Sequence, residues 1–153
     1  ADFKQKLREH LTIEKEREAR AAHRATVTDT IIDESSFAIP EVMIEAELNQ
    51  MFAQMQEDLT RANLSMDDYL GHIKKTKDDL INEWRPAAEK RARLQLILNE
   101  IAKKEDIKPD AEAVEQQVKQ LMEQHQDADE SRVRVYVTSV LTNEAVMQML
   151  ENQ

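Results

Sequence analysis

An all-α fold is what this sequence predicts, and three observations predict it. Among 153 residues there is 1 glycine and there are 3 prolines. That leaves little material for a turn-rich β architecture and none for a phosphate-cradling loop, which needs more than one glycine. Apolar residues recur at three- and four-residue spacings. Leu94, Ile97, Leu98 and Ile101, for example, share one helix face. Aromatic residues make up only 4%, so the core must be Leu, Ile, Val, Met and Ala packed between helices. The expectation is a single domain over residues 1–153, long and thin, with a high surface area.

The first helix runs from near Asp2 to about Ile32. Leu7, Leu11, Ala21, Ala25 and Ile32 recur at helical intervals, but large apolar groups are sparse in the middle. Such a helix depends on packing at its ends and on ion pairs worth ~0.3–0.5 kcal/mol each. The chain begins without Met, at Ala1-Asp2-Phe3, in what already reads as helix. It is therefore expected to be a piece of a longer protein. Ser35-Ser36 and Pro40 break the helix, and Ile39 is pushed out of helical geometry by the proline that follows.

Helix two carries Ile44, Leu48, Met51, Met55, Leu59 and Ala62 on one face. These spacings do not sustain a coiled-coil heptad for long. Ser65 with Asp68 reads as a capping pair for a short helix that Gly71 ends. Thr76 with Asp79 opens the next, which carries Leu80, Ile81 and Trp84, and Pro86 bends or restarts it. Pro109, at a first-turn position, precedes Val114, Val118, Leu121 and Met122. Asp127 to Ser131 is a polar turn, and the last helix spans Val133 to Leu150. Residues 132–137 alternate with period two and are β-branched, which is a strand signal. A lone strand would need a partner that the chain does not offer, so helix is preferred.

The formal charge of -10 argues against nucleic acid, whose phosphates would be repelled. There is no cysteine, which excludes disulfides and thiolate zinc and fits a reducing, cytoplasmic setting. No apolar run approaches the ~18 residues of a membrane span, and the charged first twenty residues do not read as a signal peptide. Charge is segmented. Residues 41–70 hold seven acidic and one basic side chain, and residues 110–153 hold nine and three. Residues 74–108 hold ten basic and seven acidic. Solvated helix faces account for this pattern; so does a mildly basic spine with two acidic arms that repel each other.

A search for catalysis finds no constellation. The residues three before His10, His23, His72 and His125 are Leu7, Arg20, Tyr69 and Met122, so no Glu-x-x-His metal pair exists. Neither a cofactor nor a metal is expected. Methionine is the other signal. Met43, Met51, Met55, Met66, Met122, Met147 and Met149 all fall in the two acidic segments. Methionine is unbranched and polarizable, suited to adaptable apolar contact. Each one is also a natural gap-filler of a core. As a set, Met43, Met51, Phe52, Met55, Leu59, Tyr136, Val140 and Met147 are the candidate lining of a promiscuous apolar binding surface. Met51, Phe52, Met55, Tyr136 and Met147 are expected to be partly exposed, and Leu94, Leu98 and Ile101 to be core.

The order of residues from Trp84 to Ile107, WRPAAEKRARLQLILNEIAKKEDI, resembles the closing long helix of the bacterial trigger factor C-terminal domain. Ile39-Pro40-Glu41 followed by Val42 to Leu59 is similar to the family's turn into its first arm helix. Asn143-Glu144-Ala145-Val146 is similar to its final arm-two helix. The resemblance runs from about Phe3 to the C-terminus. It implies a spine near residues 1–34 and 76–107, arm one near 40–75, arm two near 109–150, and an open cleft between the arms. It also implies an ATP-independent chaperone whose partners are unfolded or nascent polypeptides.

The stretch from Gln126 to Ser131 is shorter than usual for the family, so the second arm's tip is expected to be reduced. The family's ribosome-docking loop and prolyl isomerase domain are absent. The ribosome is thus expected as a partner only through domains not in this chain. The family's fold is also shared in outline with periplasmic chaperones of outer-membrane proteins, so a fragment of one of those is a further reading. The competing reading is a helical scaffold or adaptor for one specific partner, and self-association fits either. An enzyme is not expected, nor is a nucleic-acid or membrane partner.

Overall fold

The computed structural model describes residues 2–125 and 127–152, apart from the side chain of Asp2. Its regular structure is helical throughout: α1 Asp2–Glu34, α2 Glu41–Arg61, α3 Met66–Ile73, α4 Lys77–Lys104, α5 Ala111–Gln124 and α6 Glu130–Glu151. The all-α prediction holds, and residues 132–137 lie inside α6. The expected helical start at Ala1 and the Gln126 end of the shortened tip lie outside the described residues. The chain divides into two compact units, one of α1 with residues 97–153 and one of residues 35–96; the division falls within α4.

In the unit of residues 35–96, Pro40 ends the extended link after α1, and its carbonyl accepts from Met43 N–H at 2.9 Å. α2 turns Ile44 and Leu48 onto Ala88 of α4, with Ile39, Met51, Ile81 and Trp84 packed around them. Ala88 is fully buried beneath Ile44 and Leu48. α3 starts as the sequence suggests, with Ser65 Oγ accepting from Asp68 N–H at 3.1 Å. It does not stop at Gly71, which is exposed and helical. The left-handed residue is Lys74, at φ 55, and Lys75 N–H closes the helix end on the Leu70 carbonyl at 3.1 Å.

Thr76 and Asp79 form a reciprocal cap for α4. Thr76 N–H donates to Asp79 at 2.8 Å, and Asp79 N–H donates to Thr76 Oγ1 at 3.2 Å. The Thr76 N–H, and then the Thr76 hydroxyl that donates at 2.8 Å, hold the Asp79 carboxyl below its ordinary range. α4 runs on through Pro86 rather than restarting. Pro86 and Asn82 are both exposed, so water can serve the Asn82 carbonyl that the missing N–H leaves open.

Arg93 secures the link between α1 and α2. Its guanidinium donates to the carbonyls of Ser35 at 3.1 Å and Phe37 at 3.0 Å and lies over the Phe37 ring. Leu98, beyond the unit boundary, is buried as expected, whereas Leu94 and Ile101 are only half-buried.

In the other unit, Val114 and Val118 of α5 pack on Val137 of α6, ringed by Leu121, Met122, Val133 and Leu141. The α5 cap is Asp110, which accepts from Glu112 N–H at 2.7 Å and Ala113 N–H at 3.2 Å. Pro109 therefore precedes the cap rather than occupying the first turn. Asp129 caps α6 through Arg132 N–H at 3.1 Å, which shortens the expected polar turn and starts α6 at Glu130. α1 is exposed from Phe3 to His23. Its C-terminal part meets α6 through Arg24, which forks onto Glu144 at 2.9 Å and also pairs with Glu151.

Candidate functional site

The unit of residues 35–96 holds an open depression of about 430 Å³ between α2, α3 and α4. Its wall is Met51, Met55 and Leu59 of α2, Tyr69 of α3, and Trp84 and Arg91 of α4. The α2 residues fall there because steps of four return to nearly the same helix face. Phe52 packs its ring 4.7 Å from that of Trp84, and the Lys77 ammonium lies over the Phe52 ring, 5.2 Å from its centroid. Met51, Phe52, Met55, Tyr69 and Trp84 are half-buried, and so is Met43, in the first turn of α2. Leu59 is 8% exposed: it closes the bottom and offers little of itself to a partner.

On α6, Val135 is 71% exposed, Tyr136 58% and Val140 42%. Ser131, Arg132, Val135, Tyr136 and Ser139 line a shallow depression of about 490 Å³. Val133 and Val137 turn inward toward α5 at a spacing of four, and that forces Val135 outward. The expectation of exposure fails for Met147, which is 6% exposed. It lies at nearly the same angle around α6 as Tyr136, but at the end where the helix meets α1.

Two further depressions in this unit are bordered by charged side chains. One of about 660 Å³ lies along α1 and α6 and includes Arg17, Arg20, Arg24, Glu144 and Glu151. There the hydrogen bond from Arg24 holds the Glu144 carboxyl below its usual range, and Arg24 does the same to Glu151. The reciprocal bonds, to Glu144 first and then Glu151, raise the Arg24 pKa. The other, about 710 Å³, is bordered by Arg134, which bridges Glu115 and Glu130. No group of three or more metal-ligating side chains lies together among the described residues.

The candidate residues divide between the two units. Met51, Met55 and Leu59 line the α2–α4 depression with Phe52 beside it, and Tyr136 with Val140 lies on α6. Sequence reasoning missed Val135, Tyr69, Trp84 and Arg91. Val135 was legible in principle, since a helical reading of Val133 and Val137 as core leaves it outside. The other three become wall only through tertiary packing.

Helices that leave apolar side chains half-covered in both units define the class: an all-α domain that presents apolar surface. The family described as bacterial trigger factor protein (TF) C-terminus matches residues 1–153, and the chain belongs to that family. It is 29% identical over 142 residues to the trigger factor of Moorella thermoacetica, covering 92% of this chain and 32% of that protein. Against the trigger factor of Agathobacter rectalis it is 34% identical over 107 residues, 70% of this chain and 24% of the other. That of Dehalococcoides mccartyi is 27% identical over 151 residues, 98% and 34%. The chain thus spans about a quarter to a third of the length of these relatives. No solved structure gives a significant match.

Proposed function

We propose that this chain is a chaperone's client-binding part, which holds unfolded or nascent polypeptides without ATP. The observation that carries this reading is the exposed α6 strip of Val135, Tyr136 and Val140, together with the half-buried Met51, Phe52 and Met55 on α2. Unfolded chains differ in sequence but all expose apolar side chains. A surface that binds many of them needs adaptable groups and several weak contacts rather than one tight pocket. Methionine and isolated aromatic rings supply both.

The expected cleft between arm one and arm two, as the place where a client lies, belongs to this proposal and rests on the family resemblance. So do the cytoplasmic location and a ribosome reached only through other domains. A non-enzymatic role fits the same reading, because apolar binding needs no reacting side chain. The scaffold reading gains nothing from α2, whose apolar spacing does not sustain heptads.

The test is light scattering from several unrelated unfolded proteins. At a few-fold molar excess the chain should suppress aggregation of most of them, equally with and without ATP. Protection of none, or of one alone, sinks the proposal.

A further inference from the structure

We propose that Met51 and Met55 form a reversible oxidation site, where a peroxide converts two thioethers to sulfoxides and weakens the hold of α2 on unfolded chains. This rests on the reading of the chain as a client-holding domain and adds a regulation to it.

The chain has seven methionines and no cysteine, so a peroxide meets thioethers and no thiol. The methionines are not equally placed. Met147 is 6% exposed. Met51 and Met55 are half-buried and stand four residues apart on one face of α2. Both line the open depression of about 430 Å³, which a small oxidant can enter. Tyr69 and Arg91 line the same depression and carry donors for a sulfoxide oxygen, a far better acceptor than a thioether sulfur. The oxidised side chains therefore find polar partners there without unfolding, but the wall is no longer apolar.

The chemistry is a two-electron oxygen transfer. The peroxide O–O bond breaks, an S–O bond forms, the sulfur gives up two electrons, and the second peroxide oxygen leaves as water. A methionine sulfoxide reductase supplied with a dithiol returns the thioether and releases the transferred oxygen as water. Met51 has a second role, because it packs on the cluster of Ile44, Leu48 and Ala88. Its sulfoxide also costs stability, so Met55 isolates the effect on binding.

The test treats the full chain with hydrogen peroxide, locates sulfoxides by mass spectrometry of its peptides, and follows binding to a labelled, permanently unfolded protein. Met51 and Met55 should oxidise before Met147. Affinity should fall about tenfold, roughly threefold for each partly covered thioether, and reductase treatment should restore it. Met51→Leu with Met55→Leu keeps an apolar wall and should hold its affinity through the same treatment. Met55→Gln, which mimics the sulfoxide's polarity, should lose roughly threefold without treatment and without loss of helicity. Oxidation of Met147 as fast as of Met51 and Met55 overturns the proposal. So does unchanged affinity once both sulfoxides have formed, or an equal loss in the double leucine variant. If the untreated chain suppresses no aggregation, the client-holding reading falls and the proposal with it. Suppression that peroxide leaves intact removes the proposal alone.

Discussion

Replacing Val135, Tyr136 and Val140 together by serine separates surface from core on a single helix. These side chains are exposed, and solvent-side substitutions usually shift stability by no more than ~0.5 kcal/mol each. Serine and valine also differ little in helix propensity. The triple variant should therefore stay helical and melt within a few degrees of the parent. Val137 is the contrast. It is 1% exposed and sits against Val114 and Val118. Val137→Ala removes two methyl groups, each worth ~0.8 kcal/mol in transfer alone, and leaves a cavity in addition, so ~2 kcal/mol is expected. If a client covers the surface triad, partial burial worth on the order of 1 kcal/mol per side chain is lost, and affinity should fall by roughly 10²-fold. Urea unfolding followed by circular dichroism gives stability, and anisotropy of a labelled, permanently unfolded protein gives affinity. Unchanged affinity in the triple variant, or a stability loss as large as that of Val137→Ala, would refute the reasoning.

Pro86 lies inside α4 on an exposed face, so Pro86→Ala restores one backbone bond to the Asn82 carbonyl and should stabilise by ~1–3 kcal/mol; a higher urea midpoint checks it. Asp110→Ala removes two accepted N–H bonds at the start of α5 and should cost ~1 kcal/mol, seen as faster amide exchange in that helix. Acid should loosen α6 from α1. Glu144 and Glu151 are held below the ordinary 4.5, so their contribution is complete above that pH and fades as pH falls through the lowered values. Amide exchange near residue 151 should be flat from pH 7 to about 5, once corrected for its intrinsic rate. It should rise below about 4.5, and Arg24→Gln should abolish the rise.

Local chemistry was the legible part. Ser65 with Asp68 and Thr76 with Asp79 were found because a cap bonds residues three apart and needs nothing else. Gly71 misled because glycine permits a left-handed helix end without requiring one, and Lys74 adopted that conformation instead. Pro109 misled because Asp110 is the better acceptor for free N–H groups. Burial was less legible than helicity, and α6 shows why. Val137 and Val146 are both essentially fully buried, yet nine residues at ~100° each put them on opposite sides of the helix. Different sides are covered at the two ends, so no single stripe marks the inside. The same cause leaves Tyr136 exposed while Met147, at a similar angle, is buried. On α2 the inward face is continuous, and there Ile44, Leu48 and Leu59 could be read from periodicity alone.

The seven methionines allow the central claim to be tested at the level of single side chains. With ¹³C-methyl methionine in the full chain, an unfolded client is added and the methyl resonances are assigned by Met→Leu substitution. The account predicts that Met51 and Met55, at the α2–α4 depression, shift and broaden with several unrelated clients, while buried Met147 stays in place. Perturbation of Met147 alone, or of no methyl at all while the client is demonstrably held, would contradict it.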